Sequence, residues 1–205
     1  MPDTAQNARK NGNPWRIPAA EADNFAKDLK LFDFKAIYRD KTNRTTALAA
    51  AVAVVFYLID QLTKEAIVRM VPYHSVQVVI PDFFNITYIT NPGAAWGMLA
   101  GKGWLLLLIS IAALAGIILF LKRLSENYAE RIYALLLIAS GIVGNCTDRI
   151  FRGEVVDFLQ FHVGRFYWPS FNVADSCITC GVAVFLISTV FRPEKKRASE
   201  QESKQ

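Results

Sequence analysis

The sequence predicts a mainly α-helical membrane protein with four transmembrane helices and both termini in the cytoplasm. Hydrophobic residues make up 53% of the 205 residues, and they are concentrated in blocks. A helix rises about 1.5 Å per residue, so about 20 apolar residues cross a hydrocarbon core of about 30 Å. Four blocks are near that length, at residues 45–68, 103–121, 131–146 and 173–191.

The chain before the first block is predicted to be a cytoplasmic N-terminal extension, residues 1–44. Residues 1–19 are rich in Pro, Asn, Gly and charge, which is typical of a disordered tail. Apolar residues then recur at helical spacing over residues 20–38, which predicts either an interfacial helix on the inner leaflet or a partly ordered leader. Because this polar stretch precedes the first block, the block is interpreted as a retained helix and not as a cleaved signal peptide.

The basic residues indicate the orientation. Residues 1–44 hold nine of the 23 Lys and Arg, and the tail 192–205 holds five. The long connections 69–102 and 149–172 hold two and three. Short cytoplasmic loops collect Lys and Arg, so both tails are predicted to be cytoplasmic, together with the link that carries Lys122, Arg123 and Arg131. The net charge of +5 then reflects topology and contact with lipid headgroups, and nucleic acid is not expected as a partner.

The two outer connections are predicted to contain short strands. VQVVI at residues 76–80 and FNITYI at 84–89 flank a Pro-Asp turn, and EVVDFLQF at 154–161 alternates in a strand-like way. TNPGAAWGM at 90–98 and FYWPSF at 166–171 add turn residues and interfacial aromatics. The CITC spacing of Cys177 and Cys180 lacks companion metal ligands, so these cysteines and Cys146 are interpreted as small core residues.

The acidic residues converge on the outer face. With this topology Asp60 lies late in helix one, Asp148 lies at the exit of helix three, and Asp175 lies at the entrance of helix four. Asp157 lies in the outer loop between the last two helices. Acids near a membrane span are costly and usually mark a polar site.

Each acid also has a structural interpretation. Asn172 and Asp175 resemble a helix N-terminal cap. Asp148 is expected to pair with Arg149, and Asp60 has Lys64 four residues later on one helix face. Asp157 alone has no evident charge partner, since apolar residues flank it.

Two carboxylates at one membrane surface predict aspartic peptide hydrolysis. If the pair shares a proton, the ionised member activates water and the protonated member polarises the scissile amide. Glycosidases also use two carboxylates, but a transmembrane peptide is the polymer that reaches this location.

Five segments together resemble the bacterial lipoprotein signal peptidases, or type II signal peptidases. The segments are DQLTK (60–64), NPGAAWGM (91–98), GNCTDR (144–149), EVVDF (154–158) and FNVADS (171–176). The resemblance covers residues 45–191, with Ser140 where the family has a glycine. It implies four helices and a small extracytoplasmic β-cradle with an amphipathic segment. The implied substrate is a diacylglyceryl-modified prolipoprotein, cleaved just before the lipidated cysteine in the inner membrane. It further implies no metal or cofactor, inhibition by globomycin and a monomer among membrane lipids.

The resemblance assigns residues by their place in these motifs. It implies a catalytic pair of Asp157 and Asp175. The residues that it implies for substrate binding and support are Asp60, Lys64, Asn91, Gly93, Asn145, Asp148, Arg149, Asn172 and Ala174.

Two other functions remain open from the residues alone. A small channel or proton-coupled carrier would use intramembrane acids as relay groups, but it predicts acids near mid-bilayer in several helices. An assembly factor would use the outer loops only to bind partners.

Overall fold

The computed structural model describes residues 34–93 and 101–192 of the chain. It divides into two compact units, Met1–Lys41 and Thr42–Gln205. In the first unit only residues 34–41 are described, and they are helical. The helices are α1 (Phe34–Met70), α2 (Gly103–Ser125), α3 (Ala129–Phe151) and α4 (Val173–Phe191). The strands are β1 (Val76–Ile80), β2 (Phe84–Asn91), β3 (Val155–Val163) and β4 (Phe166–Tyr167).

Four helices of the described chain are long and apolar enough to cross a membrane, as predicted. These spans are Lys41–Met70, Gly103–Ser125, Ala129–Phe151 and Val173–Phe191. Helix α1 begins at Phe34 and not at residue 45, because the helix continues through the polar residues that precede its apolar part. The predicted interfacial helix lies outside the described residues up to residue 33, and residues 34–38 belong to α1.

The apolar core lies between α2, α3 and α4. Ile117 of α2 packs with Leu135, Ala139 and Ile142 of α3. Helices α3 and α4 approach closely where Gly141 faces the carbonyl of Ala174, a place where a Cβ atom would not fit. Small residues at such crossings let helix backbones pack in a membrane. Many large side chains on the other faces of α1, α2 and α4 are exposed, as expected of lipid-facing surfaces.

The buried side chain of Arg131 connects the ends of α2, α3 and α4 through a salt bridge and hydrogen bonds. Arg131 lies in the first turn of α3 and not in the link as predicted, because α3 begins at Ala129. Its guanidinium is buried and pairs with Glu126 at 3.0 Å. It also donates hydrogen bonds to the hydroxyl and carbonyl of Ser188 in α4. These hydrogen bonds therefore fix the C-terminal end of α4 against the start of α3.

The four strands form an antiparallel sheet in the order β1-β2-β3-β4. The predicted strands are confirmed, with β2 extending to Asn91 and β3 to Val163. The predicted alternation of β3 is wrong in its first half, where Val155 to Phe158 are all buried. Val156 donates its N–H to Asp148 of α3 and accepts a hydrogen bond from Asn172. The start of β3 is therefore enclosed by polar groups from the helix ends.

Candidate active site

Two carboxylates meet at one cavity, and each is placed by a different element. Asp157 is the third residue of β3, and Asp175 lies in the first turn of α4. Both line a cavity of about 570 Å³, although they are eighteen residues apart in the chain. Asp157 is 2% exposed. The predicted convergence of these two acids is therefore present in the fold.

Asn172 links the two carboxylates. It is the N-cap of α4, where it forms a capping box with Asp175, as the sequence predicted. Its side-chain amide nitrogen also donates to Oδ1 of Asp157 at 2.8 Å, and its backbone N–H donates to Oδ2 of Asp175 at 3.3 Å. Asn172 therefore caps α4 and contacts both carboxylates at the same time.

Two further asparagines hold the outer oxygens of the pair. Asn91 lies at the end of β2, which the β2–β3 register places beside the start of β3, and its amide donates to Oδ2 of Asp157 at 3.1 Å. Asn145 of α3 donates to Oδ1 of Asp175 at 2.8 Å. Each carboxylate therefore accepts hydrogen bonds on both oxygens from neutral donors. Such contacts orient the carboxylates without neutralising their charge.

A buried charge network lies behind the asparagines. Lys64 is fully buried and contacts Asp60 and Asp148 at 2.9 Å each. Its ammonium also donates to Oδ1 of Asn145 at 3.1 Å. Since the oxygen of Asn145 faces Lys64, its amide nitrogen must face Asp175. Lys64 thereby sets the orientation of a side chain that contacts the pair.

Asp148 has other charge partners than the predicted one, Arg149. It does not pair with its neighbour Arg149, because consecutive residues of a helix point in different directions. It pairs with Lys64 and, across one turn of α3, with Arg152 at 3.3 Å. The predicted pair of Asp60 and Lys64 is confirmed. Asp60 also accepts the N–H of Ala174 at 2.8 Å, which ties α1 to the start of α4.

Arg149 projects towards the cavity from the last turns of α3. Its guanidinium donates to the carbonyls of Asn145, at 3.3 Å, and Gly93, at 3.1 Å. All three residues line the cavity. The rest of the NPGAAWGM motif, from residue 94 to 98, lies outside the described residues.

The environment of Asp157 favours its protonated form. Burial, and after it the charge of Asp175, raise the pKa of Asp157 from 3.8 to about 7. The hydrogen bonds from Asn91 and Asn172 and the charge of Lys64 oppose this rise in the pKa. A carboxyl group that keeps its proton near neutral pH can act as an acid beside an ionised partner.

The remaining cavity wall is mostly apolar, and several of its residues were not predicted. Ile178 and Cys180 of α4 lie on this wall one turn and more beyond Asp175, with Trp168 and Phe171 opposite in the connection from β4. Cys180 is exposed, so its interpretation as a core residue is wrong, whereas Cys146 and Cys177 are buried as predicted. The aromatic run FYWPSF was the only signal of this wall in the sequence.

Two glycines of α3 were also missed. Gly144 lies against Asp60, where a Cβ atom would come within 2.5 Å of Oδ2, and Gly141 lies against Ala174. Their spacing of three residues in SGIVGN was the available signal. Ser140, the departure from the family motif, is buried, and its hydroxyl has no hydrogen-bond partner among the described residues.

Comparison with known proteins assigns the family. The family model described as signal peptidase (SPase) II matches residues 52–191. The chain belongs to the signal peptidase II family. The lipoprotein signal peptidase of Symbiobacterium thermophilum is 38% identical over 151 residues, which cover 74% of this chain and 99% of that protein. That of Anoxybacillus flavithermus is 43% identical over 157 residues, or 75% of this chain and 91% of that protein.

Two solved structures share the fold. A bacterial membrane enzyme determined by the in meso method at 2.3 Å is 33% identical, with a TM-score of 0.66 over 73% of this chain and 93% of that chain. A second, at 1.9 Å, is 34% identical with a TM-score of 0.64. Family membership makes the chain an aspartic endopeptidase. The carrier and assembly-factor interpretations therefore lose their support.

Proposed function

We propose that this signal peptidase II cleaves diacylglyceryl-modified prolipoproteins just before the lipidated cysteine, with Asp157 and Asp175 as the catalytic pair. The observation that carries the proposal is the shared amide cradle. Asn172 donates to both carboxylates, and Asn91 and Asn145 hold their other oxygens at the wall of one cavity. The other binding and supporting residues are those named from the family motifs.

The two carboxylates have different surroundings, which suggests different roles. Asp175 lies in the first turn of α4, where the helix dipole stabilises negative charge. Asp157 lies in a strand and keeps its proton because its pKa is raised to about 7. Asp175 is therefore the base in the resting enzyme, and Asp157 is the acid.

Hydrolysis then follows a balanced proton cycle. Asp175 takes a proton from water as the water oxygen attacks the scissile carbonyl carbon, and Asp157 gives its proton to the carbonyl oxygen. The tetrahedral intermediate collapses as the C–N bond breaks. Asp175 gives its proton to the leaving nitrogen, and Asp157 recovers a proton from the hydroxyl of the intermediate. The pair ends with one proton, as it began.

The substrate backbone needs donors near this pair. Arg149 lines the cavity and is held by the carbonyls of Asn145 and Gly93, so its guanidinium is positioned to donate to a substrate carbonyl. The apolar wall at Ile178 and Cys180 extends from Asp175 along the apolar helix α4. A substrate held by its lipid and its signal helix would arrive along such a wall.

Orientation and assembly follow from the same features. The basic residues at the two ends of the chain support cytoplasmic termini and an active site that faces the periplasm from the inner membrane. One chain supplies both carboxylates and the cavity wall, so a monomer is sufficient.

The function is tested with purified protein and two substrates that differ only in the diacylglyceryl group. The lipidated prolipoprotein is expected to be cleaved before its cysteine, and globomycin is expected to stop the reaction. The unmodified precursor is expected to be cleaved at least about tenfold more slowly. Mass spectrometry of the products locates the cut. Equal cleavage of both precursors, or a cut elsewhere, would contradict the proposed substrate.

The pH dependence follows from the proton on Asp157. We expect kcat/KM to fall as the pH rises through about 7, because Asp157 then ionises and cannot act as the acid. Burial, and after it the charge of Asp175, disfavours the ionised form of Asp157, so the stability that its protonation provides is present below pH 3.8 and is lost as the pH rises through about 7. At low pH both members are protonated, and the rate falls again. The whole profile belongs to the coupled pair.

Asn91→Ala provides a sharper test of this profile. The amide of Asn91 lowers the pKa of Asp157, so its removal is expected to move the basic limb to higher pH. Asn85→Ala, a change of the same residue type in β2 whose amide contacts Gln160, serves as the control. A basic limb that stays in place in Asn91→Ala would show that Asp157 does not set it.

A further inference from the structure

A second cavity lies on the sheet beside the catalytic cavity. It has a volume of about 350 Å³ and is lined by the rings of Phe83, Phe161, His162, Phe166, Trp168 and Phe171. We call it the aromatic pocket. Phe161 stacks on Phe171 with ring centres 5.9 Å apart, and His162 stacks on Tyr167 at 4.6 Å. These contacts fix the walls before any ligand arrives, which lowers the entropic cost of binding.

The aromatic pocket adjoins the catalytic cavity. Trp168 and Phe171 line both. Phe171 is bridged to Leu159, two residues along β3 from Asp157, and His162 is five residues along. At about 3.3 Å per residue, the pocket therefore extends from about 7 to about 17 Å from Asp157 along the strand. An extended peptide rises by the same distance per residue. Its second to fifth residues beyond the scissile bond would reach the pocket.

The exposed part of the pocket's lining is apolar. Phe166 and Trp168 are 67% and 49% exposed, so a ligand in the pocket would cover apolar ring surface. His162 is 8% exposed and its Nδ1 is buried, so its ring forms part of the wall without offering this atom to a ligand.

We propose that the aromatic pocket binds the substrate polypeptide just beyond the lipidated cysteine and prefers apolar side chains there. This inference rests on the proposed function. All residues of the pocket belong to the sheet and its connections, whereas residues of α4 line the catalytic cavity. The membrane-embedded signal helix and lipid chains therefore meet the wall on α4. The aromatic pocket would then receive the remaining part of the substrate, which is the segment that follows the lipidated cysteine in the released protein.

The test compares two lipidated peptides with the same signal segment. The short peptide ends at the cysteine amide, and the long peptide continues for five residues with Leu and Phe. For the parent protein, KM is expected to be about tenfold lower for the long peptide. Phe166→Ser is expected to remove most of this difference. Phe191→Ser, which alters a phenylalanine that is also largely exposed but lies at the C-terminal end of α4, is expected to keep it.

Equal KM values for both peptides in the parent would overturn the proposal. So would an equal rise for both in Phe166→Ser, which would place lipid in the pocket. If both peptides are cleaved with the same KM, the pocket proposal is wrong but the proposed function stands. If neither peptide is cleaved, the pocket proposal and the proposed function are both wrong.

Discussion

Asp157→Asn and Asp175→Asn are each expected to lower kcat/KM for a lipidated prolipoprotein by about 10³-fold or more. An amide keeps the shape of the side chain, but it can neither take a proton from water nor deliver one to the carbonyl oxygen. The loss is expected mainly in kcat, because the cavity that binds the substrate is unchanged. Initial rates at several substrate concentrations, in detergent and in liposomes, measure both parameters.

Asp82→Asn is the matched control for these variants. Asp82 is exposed in the turn between β1 and β2, with a φ of 60° that asparagine also adopts readily. The rate and thermal stability of Asp82→Asn are expected to equal those of the parent. Either catalytic variant retaining the parent rate would show that its carboxylate takes no part in the reaction.

Lys64→Met is expected to lower both stability and activity. It removes the cation that lies between Asp60 and Asp148, and it leaves both carboxylates buried. Loss of one partner from a buried ion pair typically costs about 3–5 kcal/mol. The side-chain oxygen of Asn145 also loses one of its two donors, Lys64 and Asn172, which together turn its amide towards Asp175. Thermal unfolding and kcat/KM of the same preparation report the two effects.

Two comparisons separate positioning from stability in this variant. Lys122→Met changes an exposed lysine at the end of α2 and is expected to alter neither property. The charge of Lys64 lowers the pKa of Asp157, so Lys64→Met is expected to move the basic limb of the pH profile to higher pH. A purely structural lysine would leave the limb in place. Parent-like stability together with a parent-like profile would refute the role given to Lys64.

The helices and the gathering of the acids followed from simple patterns in the sequence. Span length and apolar content identify four helices, because a bilayer imposes the same requirement on each. Alternate crossings bring Asp60, Asp148, Asp157 and Asp175 to one level. The partners of these acids did not follow. The position of Lys64 between Asp60 and Asp148 depends on how α1 rotates against α3, and local spacing carries no information on that rotation.

The spacing of residues along the chain did not predict contacts between residues that are far apart in the sequence. Asp148 and Arg149 are adjacent in the chain but face different groups. Cys180 follows the buried Cys177 by less than one turn, yet it is exposed beside the cavity. The aromatic pocket needs the register of β3 against the segment that holds Phe171, which is set by tertiary pairing. Asn172 was predicted as a cap, but its contact with Asp157 required the strand and the helix to be placed together.

The double variant Asp157→Asn/Asp175→Asn tests the central claim most directly, namely that the two carboxylates work as one proton-sharing pair. Its kcat/KM is measured beside both single variants in long incubations with the lipidated substrate. Groups that act as a unit give strongly non-additive losses. The double variant is therefore expected to be no slower than the slower single variant. Losses that multiply, so that the double variant is slower by the product of both single effects, would contradict a shared-proton pair.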